Sequence, residues 1–432
     1  MQKAKTRVAV VGVGTVGSGV VETLLQRGEL LRRRGGVAVE LAAVVDRDRE
    51  KAVAAGAPEN LIFDDFNAVV ARPDIDIVVE LVGGTGVAEK IIASALDNGK
   101  AVVTANKALL AEKGLKLFAA AREHHAPLAF EAAVGGGIPC IQAIRDGLIS
   151  NNFSSCIGIL NGTCNYILTE MITKGQDYDG ALKQAQALGF AEANPRTDVE
   201  GFDTGHKLAI LSALGFETWI DFDRLPITGI AGISATDIAC TKEMGYVIKL
   251  LAVSKVMDGK LFLSVHPGLL NEWHVLAGVH GSLNAISLFG DLVQEAVFIG
   301  RGAGKNPTAS AVVADIISTA KILGAGLDNL SWLPPEKPHF ALGALADYTT
   351  RYYLRFTVAD HVGVLAQIAA SLSEHRVGIA SVVQHERNDE RDSAMIIAIT
   401  DIAREGDVQN ALTEIDRQEF SRAKTSLFRI EG

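Results

Sequence analysis

The run RVAVVGVGTVGSGVVETLL, residues 7–25, constrains the fold more than any other part of the chain. Its first five residues after Arg7 include four valines or alanines in a row, the pattern of a strand buried on both faces. Apolar residues at helical spacing follow Gly17. Between strand and helix stand Gly12, Gly14 and Gly17. A strand that turns on glycines directly into a helix predicts the first unit of a parallel sheet. The glycines permit a tight turn and close approach of a pyrophosphate, and the helix N-terminus offers unpaired N–H groups and positive dipole. Gly12, Gly14, Thr15, Val16 and Gly17 are the candidate contacts to a dinucleotide.

More strand–helix units follow. The first helix is expected to run to Arg34 and stop at Gly35-Gly36, with LRRRGG suiting the helix dipole. VAVELAAVVD reads as a second strand ending at Asp46. An acid there would hold a ribose 2′-hydroxyl and favour NAD, whereas Arg47 would meet a 2′-phosphate and favour NADP. The two residues leave the choice open. DIDIVVELVGG reads as a strand, IIASALDNG as a helix with Gly99 as its cap, KAVVTANKALLAEKG as strand, turn and helix, and PLAFEAAVGGGIP as a strand entering a glycine-rich loop. The alternation predicts an α/β fold with a doubly wound, Rossmann-type parallel sheet. Ligands sit at the carboxyl ends of such strands. Glu80, Thr104, Asn106, Lys107 and Glu131 all fall there. Each can be read as a cap or turn residue, Lys107 least easily.

A second feature needs explaining. Glu192, Asp198, Glu200 and Asp203 crowd ahead of one lysine, Lys207, where apolar helical sequence resumes. Acids suit the first turn of a helix, and an Asp–Lys pair at i,i+4 is ordinary on a surface. The alternative is a working acid group.

Composition narrows the classes. The 432 residues carry a net charge of −10 without an acidic tail or a basic face, which argues against nucleic-acid binding. The four cysteines (Cys140, Cys156, Cys164, Cys240) form no C-x-x-C and no zinc spacing. No apolar stretch is long enough for a membrane span, and the N-terminus lacks a cleavage pattern. A soluble, cytoplasmic protein is expected.

In order along the chain, GVGTVGSGV, ELVGG, TANKALLA, FEAAVGGGIP, ILNGTCNYIL, GFAEANPRTDVEGFDTGHKLAIL and GRGAGKNPTASAVVADI resemble the homoserine dehydrogenases over roughly residues 6–325. The resemblance implies reduction of L-aspartate 4-semialdehyde to L-homoserine with NADPH or NADH, on the route to threonine, isoleucine and methionine. It implies Lys207 as proton donor, four residues after Asp203, and Lys107 near the nicotinamide. Glu192 would anchor the substrate's amino group, Asp198 would be a further substrate-facing acid, and Thr163 would give a backbone contact. Backbone carbonyls of Glu131, Val134, Gly136 and Ile138 would hold a monovalent cation, Na+ or K+. Thr104, Gly189, Gly302 and Gly304 would edge the cofactor site.

The chemistry agrees with those roles. Hydride addition to an aldehyde leaves negative charge on its oxygen, and an ammonium can stabilise that charge and donate a proton. Asp203 lies on the same helical face as Lys207 and would hold it charged and aimed. His206 points about 100° away round the helix and reads as a structural histidine. A rival reading makes Cys156 or Cys164 the nucleophile of a semialdehyde dehydrogenase, but neither has an evident histidine base. A sensor that keeps the folds without catalysis would need no proton donor.

The expected organisation is residues 1–139, with a returning helix at about 306–330, for the dinucleotide; an α+β substrate and dimerisation domain at 140–305; a proline-marked linker at 331–350; and a regulatory domain at 351–432. In the middle, SSCIGIL, LFLSVHPGLL and EAVFIGRGAG read as strands among helices. The family resemblance implies a homodimer or homotetramer paired through that sheet. From Tyr352 the pattern becomes βαββαβ, ferredoxin-like, and DHVGVLAQIA resembles an ACT domain. The matching effector positions are Asp360, Gly363, Val364, Leu365 and Ile379, and pathway logic implies threonine as effector.

Overall fold

The computed structural model of the chain describes residues 5–327, 334–335, 337–388 and 393–431. They form two compact units. The described residues within 1–162, 203–225 and 282–340 make the first, and those within 163–202, 226–281 and 341–432 the second. Among the described residues no helix is long and apolar enough to cross a membrane.

The first unit is built on a parallel sheet of six strands: Thr6–Val11, Val39–Val45, Ile62–Phe63, Ile77–Glu80, Ala101–Thr104 and Leu128–Ala129. Across the sheet they lie in the order third, second, first, fourth, fifth, sixth. The order reverses between the first and fourth strands, so the crevice of a doubly wound sheet opens beyond Val11 and Glu80. The strands are apolar because helices cover them. Val8, Val10 and Val79 share one core with Val20 and Val21 of the helix Thr15–Gln26 and with Ala309, Val312 and Ile316 of the helix Lys305–Gly324.

The expected first helix is two helices, Thr15–Gln26 and Gly28–Gly35. Arg27 leaves helical geometry at φ −115° and ψ 16°. Gly28, the next residue, costs a helix interior about 1 kcal/mol against Ala, so the break falls there.

The same unit holds a second, antiparallel sheet in which Leu283–Gly290 lies between Phe153–Ile159 and Gln294–Arg301. The two outer strands are legible in sequence. The middle one, LNAISLFG, has no clear period.

In the second unit a long hairpin joins Tyr246–Met257 to Lys260–Asn271. Its first strand was not anticipated, because Lys249 and Ser254 interrupt the apolar pattern, although both are buried. The C-terminal part is βαββαβ as expected: Thr349–Ala359, Val364–Glu374, Ile379–Asn388, Ser393–Thr400, Glu405–Ile415 and Ser421–Ile430. Tyr352, Phe356, Ile368, Ile396 and Leu412 form its core. Its last strand pairs in parallel with the hairpin, Arg429 opposite Gly268 and Ile430 opposite Leu269.

The linker expectation needs correction. Residues 331–333 and 336 lie outside the described residues. Beyond them the segment is part of the sheet: Ala341 and Leu342 pair with Lys260 and Leu261, and the Gly343 N–H donates to the Leu261 carbonyl at 2.9 Å. The first strand of the C-terminal part begins at Thr349, three residues before Tyr352. Prolines mark the segment's start, but its later backbone, though exposed at Ala341 and Leu342, pairs along the edge of the hairpin strand Lys260–Asn271.

Candidate active site

The glycine turn is tightly specified. Gly12 has φ +96°, and a Cβ there would stand 2.7 Å from the Leu81 backbone. A Cβ on Gly17 would collide with the Gly12 carbonyl. The Asp46 carboxylate braces the turn, accepting the Val13 N–H at 2.6 Å and the Asp48 N–H at 2.9 Å. Arg47 is exposed beside it. Nothing lies within 4 Å of where a Gly14 side chain would start. Thr15 and Val16 open the helix without a side-chain cap. The residues therefore fit a pyrophosphate approaching an open helix N-terminus.

Across the crevice, Glu80 is fully buried and organises two loops. It accepts the Thr104 hydroxyl at 2.7 Å and the N–H groups of Val82 and Gly83 at 2.8 and 3.1 Å. Asn106 donates to the Gly84 carbonyl at 2.7 Å and caps the helix Lys107–Glu123 through the Leu109 N–H at 3.1 Å. Both loops, with Val16 and Lys107, wall a cavity of about 300 Å³.

Lys107 begins that helix, and its Nζ lies 3.0 Å from Asp203 Oδ1. Asp203 Oδ2 accepts Lys207 Nζ at 2.6 Å and Asn161 Nδ2 at 2.8 Å. Lys207 also donates to the Leu160 carbonyl at 2.6 Å. The Asp203 and Lys207 side chains are 7% and 9% exposed, so this is no surface pair; Lys107 keeps 41% of its side chain exposed. Burial alone would push the Asp203 carboxyl up, but the ammoniums of Lys207 and Lys107 hold it well below the usual carboxylate range. An ammonium with two acceptors has a third N–H to give. Such a group can donate to an aldehyde oxygen as it gains charge. Glu200 does not belong to this group. It pairs with Arg196 at 2.8 Å, an exposed i,i+4 contact.

His206 stacks on Phe222, ring centroids 4.3 Å apart, and burial lowers its pKa to about 4. At neutral pH it is uncharged and no proton source. The cysteine reading is not favoured either. Burial pushes the Cys156 thiol up to about 12, and Cys164 is buried with its thiol on the Asp198 carbonyl at 3.2 Å. A nucleophilic cysteine needs the opposite environment.

The other candidate substrate residues belong to the second unit. Glu192 is exposed and its carbonyl accepts Gln186 Nε2 at 3.1 Å. Asp198 is half-buried in the short helix Arg196–Val199. The Thr163 hydroxyl donates to the Phe190 carbonyl at 2.7 Å, and Gly189 follows the helix Tyr178–Ala187.

For the cation, the Glu131 carboxylate is already committed. It accepts the N–H groups of Ile141 and Gln142 at 2.9 and 2.7 Å, and the Glu131 N–H donates to Asp315 at 2.7 Å. Burial, reinforced by Glu131, pushes the Asp315 carboxyl up to about 8. Among the described residues the Glu131 carbonyl receives one long contact, from the Val134 N–H at 3.4 Å, and the Val134 carbonyl accepts the Cys140 thiol at 3.5 Å. The Ile138 carbonyl accepts the Cys140 N–H at 2.8 Å. Gly136 packs directly on the Gly302 carbonyl, and Gly304 precedes the helix Lys305–Gly324. Among the described residues no three His, Cys, Asp or Glu side chains converge as metal ligands.

In the C-terminal part, Asp360 and Gly363 form the turn into the helix Val364–Glu374, which starts without a side-chain cap. Val364 is buried, Leu365 is 39% exposed, and Ile379 is half-buried at the head of the next strand.

Two members of the Lys207 group escaped the sequence reading. Asn161 stands in the quoted ILNGTCNYIL, where a polar residue directly after a strand was the available signal. The Leu160 carbonyl carries no side-chain signal at all.

Comparison with known proteins places this geometry. A family model for the homoserine dehydrogenase NAD-binding domain matches residues 12–131, one for homoserine dehydrogenase matches 139–317, and one for the ACT domain matches 352–420. The chain is 40% identical to a homoserine dehydrogenase of Neisseria gonorrhoeae over 429 residues, 98% of either chain. The crystal structure of a homoserine dehydrogenase from Thiobacillus denitrificans matches at TM-score 0.93 and 38% identity, covering 99% of this chain and 98% of that one. A hyperthermophilic archaeal homoserine dehydrogenase in complex with NADPH matches at TM-score 0.61 and 26% identity, covering 73% of this chain and 98% of that one. Nucleotide-binding turn, buried Asp–Lys pair and C-terminal ACT domain thus stand in one chain, which belongs to the homoserine dehydrogenases, NAD(P)-dependent oxidoreductases acting on a CH–OH group.

Proposed function

We propose that Lys207 is the proton donor in the reduction of L-aspartate 4-semialdehyde to L-homoserine. The observation that carries this reading is the buried Asp203 carboxylate holding Lys207 at 2.6 Å and Lys107 at 3.0 Å. The nicotinamide supplies the hydride when bound. Lys207 presents its remaining N–H to the substrate oxygen and gives up the proton as that oxygen becomes an alkoxide. Asp203 fixes the spacing of the two ammoniums. Lys107, at the mouth of the Glu80–Asn106 cavity, orients nicotinamide and substrate. Glu192 and Asp198 take the substrate ammonium, and Thr163 gives a backbone contact. Gly12, Gly14, Thr15, Val16, Gly17, Thr104, Gly189, Gly302 and Gly304 edge the cofactor, with Asp46 and Arg47 at its ribose. Replacement of Lys207 by Ala tests the central role, through turnover with homoserine.

Four further assignments belong to the same reading. The carbonyls of Glu131, Val134, Gly136 and Ile138 hold Na+ or K+, supported by the long contact at the Glu131 carbonyl. Threonine binds the ACT domain at Asp360, Gly363, Val364, Leu365 and Ile379, supported by the uncapped helix after Gly363, whose N–H groups suit a carboxylate. The enzyme serves threonine, isoleucine and methionine synthesis in the cytoplasm as a homodimer or homotetramer. Its cofactor domain spans 1–139 with the returning helix, its substrate domain 140–305 and its regulatory domain 351–432.

A further inference from the structure

We propose that Asn284 is a positioning residue for the proton donor, acting through the carbonyl oxygen of Leu160. The proposal rests on Lys207 being that donor. The Leu160 oxygen accepts two hydrogen bonds, from Lys207 Nζ at 2.6 Å and from Asn284 Nδ2 at 2.8 Å. The asparagine amide and the lysine ammonium are therefore two hydrogen bonds apart, joined through one atom.

Asn284 lies on the strand Leu283–Gly290 and is 1% exposed. Among the described residues its Oδ1 is buried without a hydrogen-bond partner. An unmet amide oxygen is unfavourable in the interior, and an apolar side chain of similar size would avoid it. What the amide supplies in return is the Nδ2 donor. Its orientation is set by that bond, because turning the amide over would set oxygen against oxygen. The surroundings leave room for this side chain and little else. A Cβ on Gly302 would collide with Nδ2 and Cγ of Asn284, and one on Gly162 would stand 3.4 Å from its Oδ1.

The next residue strengthens the case. Asn161 donates to Asp203 Oδ2 at 2.8 Å. Leu160 and Asn161 together thus touch both members of the buried ion pair, immediately after the strand Phe153–Ile159. Asn284 anchors the carbonyl end of that dipeptide. With Asp203 and Leu160 fixed, two of the three N–H directions on Lys207 are fixed, and so is the direction of the third, which faces the substrate oxygen. Loss of the anchor lets the carbonyl turn and Lys207 with it, and small misplacements of a catalytic group are costly in rate.

The test uses the full chain with Asn284→Ala and Asn284→Asp. Thermal midpoint, dissociation constant of the reduced cofactor by its fluorescence, and kcat with homoserine are followed across pH. Asn284→Ala should lower kcat about tenfold or more while cofactor binding stays within about twofold. The Asp carboxyl can donate to the Leu160 carbonyl only while protonated. The rate of Asn284→Asp relative to wild type should therefore climb as the pH falls, whereas the Asn284→Ala ratio stays flat. The proposal is overturned if Asn284→Ala turns over within about twofold of wild type, if both variants lose activity only in proportion to lost folding or cofactor binding, or if the Asn284→Asp ratio is flat. Lys207→Ala separates this proposal from the assignment beneath it. An active Lys207→Ala protein overturns the donor itself; an inactive one beside a normal Asn284→Ala overturns only the positioning role.

Discussion

Asp203 Oδ2 lies 2.6 Å from Lys207 Nζ, one helical turn away, and both side chains are buried. The Asp203 carboxyl titrates well below its ordinary range because two ammoniums face it, despite its burial. A carboxyl depressed in this way gives stability that is complete above its unfolded pKa, about 3.9, and is lost as the pH falls through its lower native value. Asn in place of Asp203 removes that charge. The thermal-midpoint advantage of wild type over Asp203→Asn should be full at neutral pH and should shrink below about pH 4. In the same variant the carboxylate that spaces Lys107 and Lys207 is gone, so kcat with homoserine should fall about tenfold or more. Turnover within about twofold of wild type would show that the pair does not position the lysine.

His206 gives a prediction of opposite character. Burial holds its pKa near 4, against about 6.5 in an unfolded chain. The unfolded chain therefore takes up the proton first, and stability falls as the pH drops from about 6.5 toward 4. His206→Asn should flatten the thermal-midpoint curve in that window and leave the rate profile's shape unchanged. A lost limb in the rate profile would make His206 a participant in proton transfer.

The cysteines should be silent. Cys156 and Cys164 are buried, and the Cys156 thiol is held near 12. Treatment of the native enzyme with iodoacetamide at neutral pH should leave its turnover unchanged. Progressive inactivation that bound substrate prevents would revive the thiol mechanism.

The parallel sheet, the glycine turn and the βαββαβ domain were legible because each has a local signature: period, glycine spacing, strand–helix alternation. Lys107, Asp203 and Lys207 were legible because a charged residue just past an apolar strand, and an acid four residues before a lysine, are both visible in one dimension. The strand Tyr246–Met257 was hidden by Lys249, a buried lysine that bonds Asn165 and the Val279 carbonyl and so needs no solvent. Glu200 stood with the acid cluster in sequence, although Arg196, four residues before it, was an equally visible i,i+4 partner and is the one that takes it. The Leu160 carbonyl and Asn284 were illegible for a deeper reason: one is a backbone atom, and the two are brought together only by pairing of distant strands.

The ACT reading makes its own prediction. L-Threonine should lower the rate of the full chain, and Gly363→Val should blunt that response, since Gly363 adopts φ +98° where valine is strained. A wild-type response in Gly363→Val would contradict the effector assignment.

The central claim is that Lys207 donates the proton. The most direct measurement is the appearance of reduced nicotinamide when purified wild-type and Lys207→Ala proteins meet L-homoserine with NAD or NADP. The wild type should turn over with at least one cofactor, and Lys207→Ala should be slower by about 10²- to 10⁴-fold with cofactor binding intact. A Lys207→Ala enzyme that turns over at the wild-type rate would contradict the account.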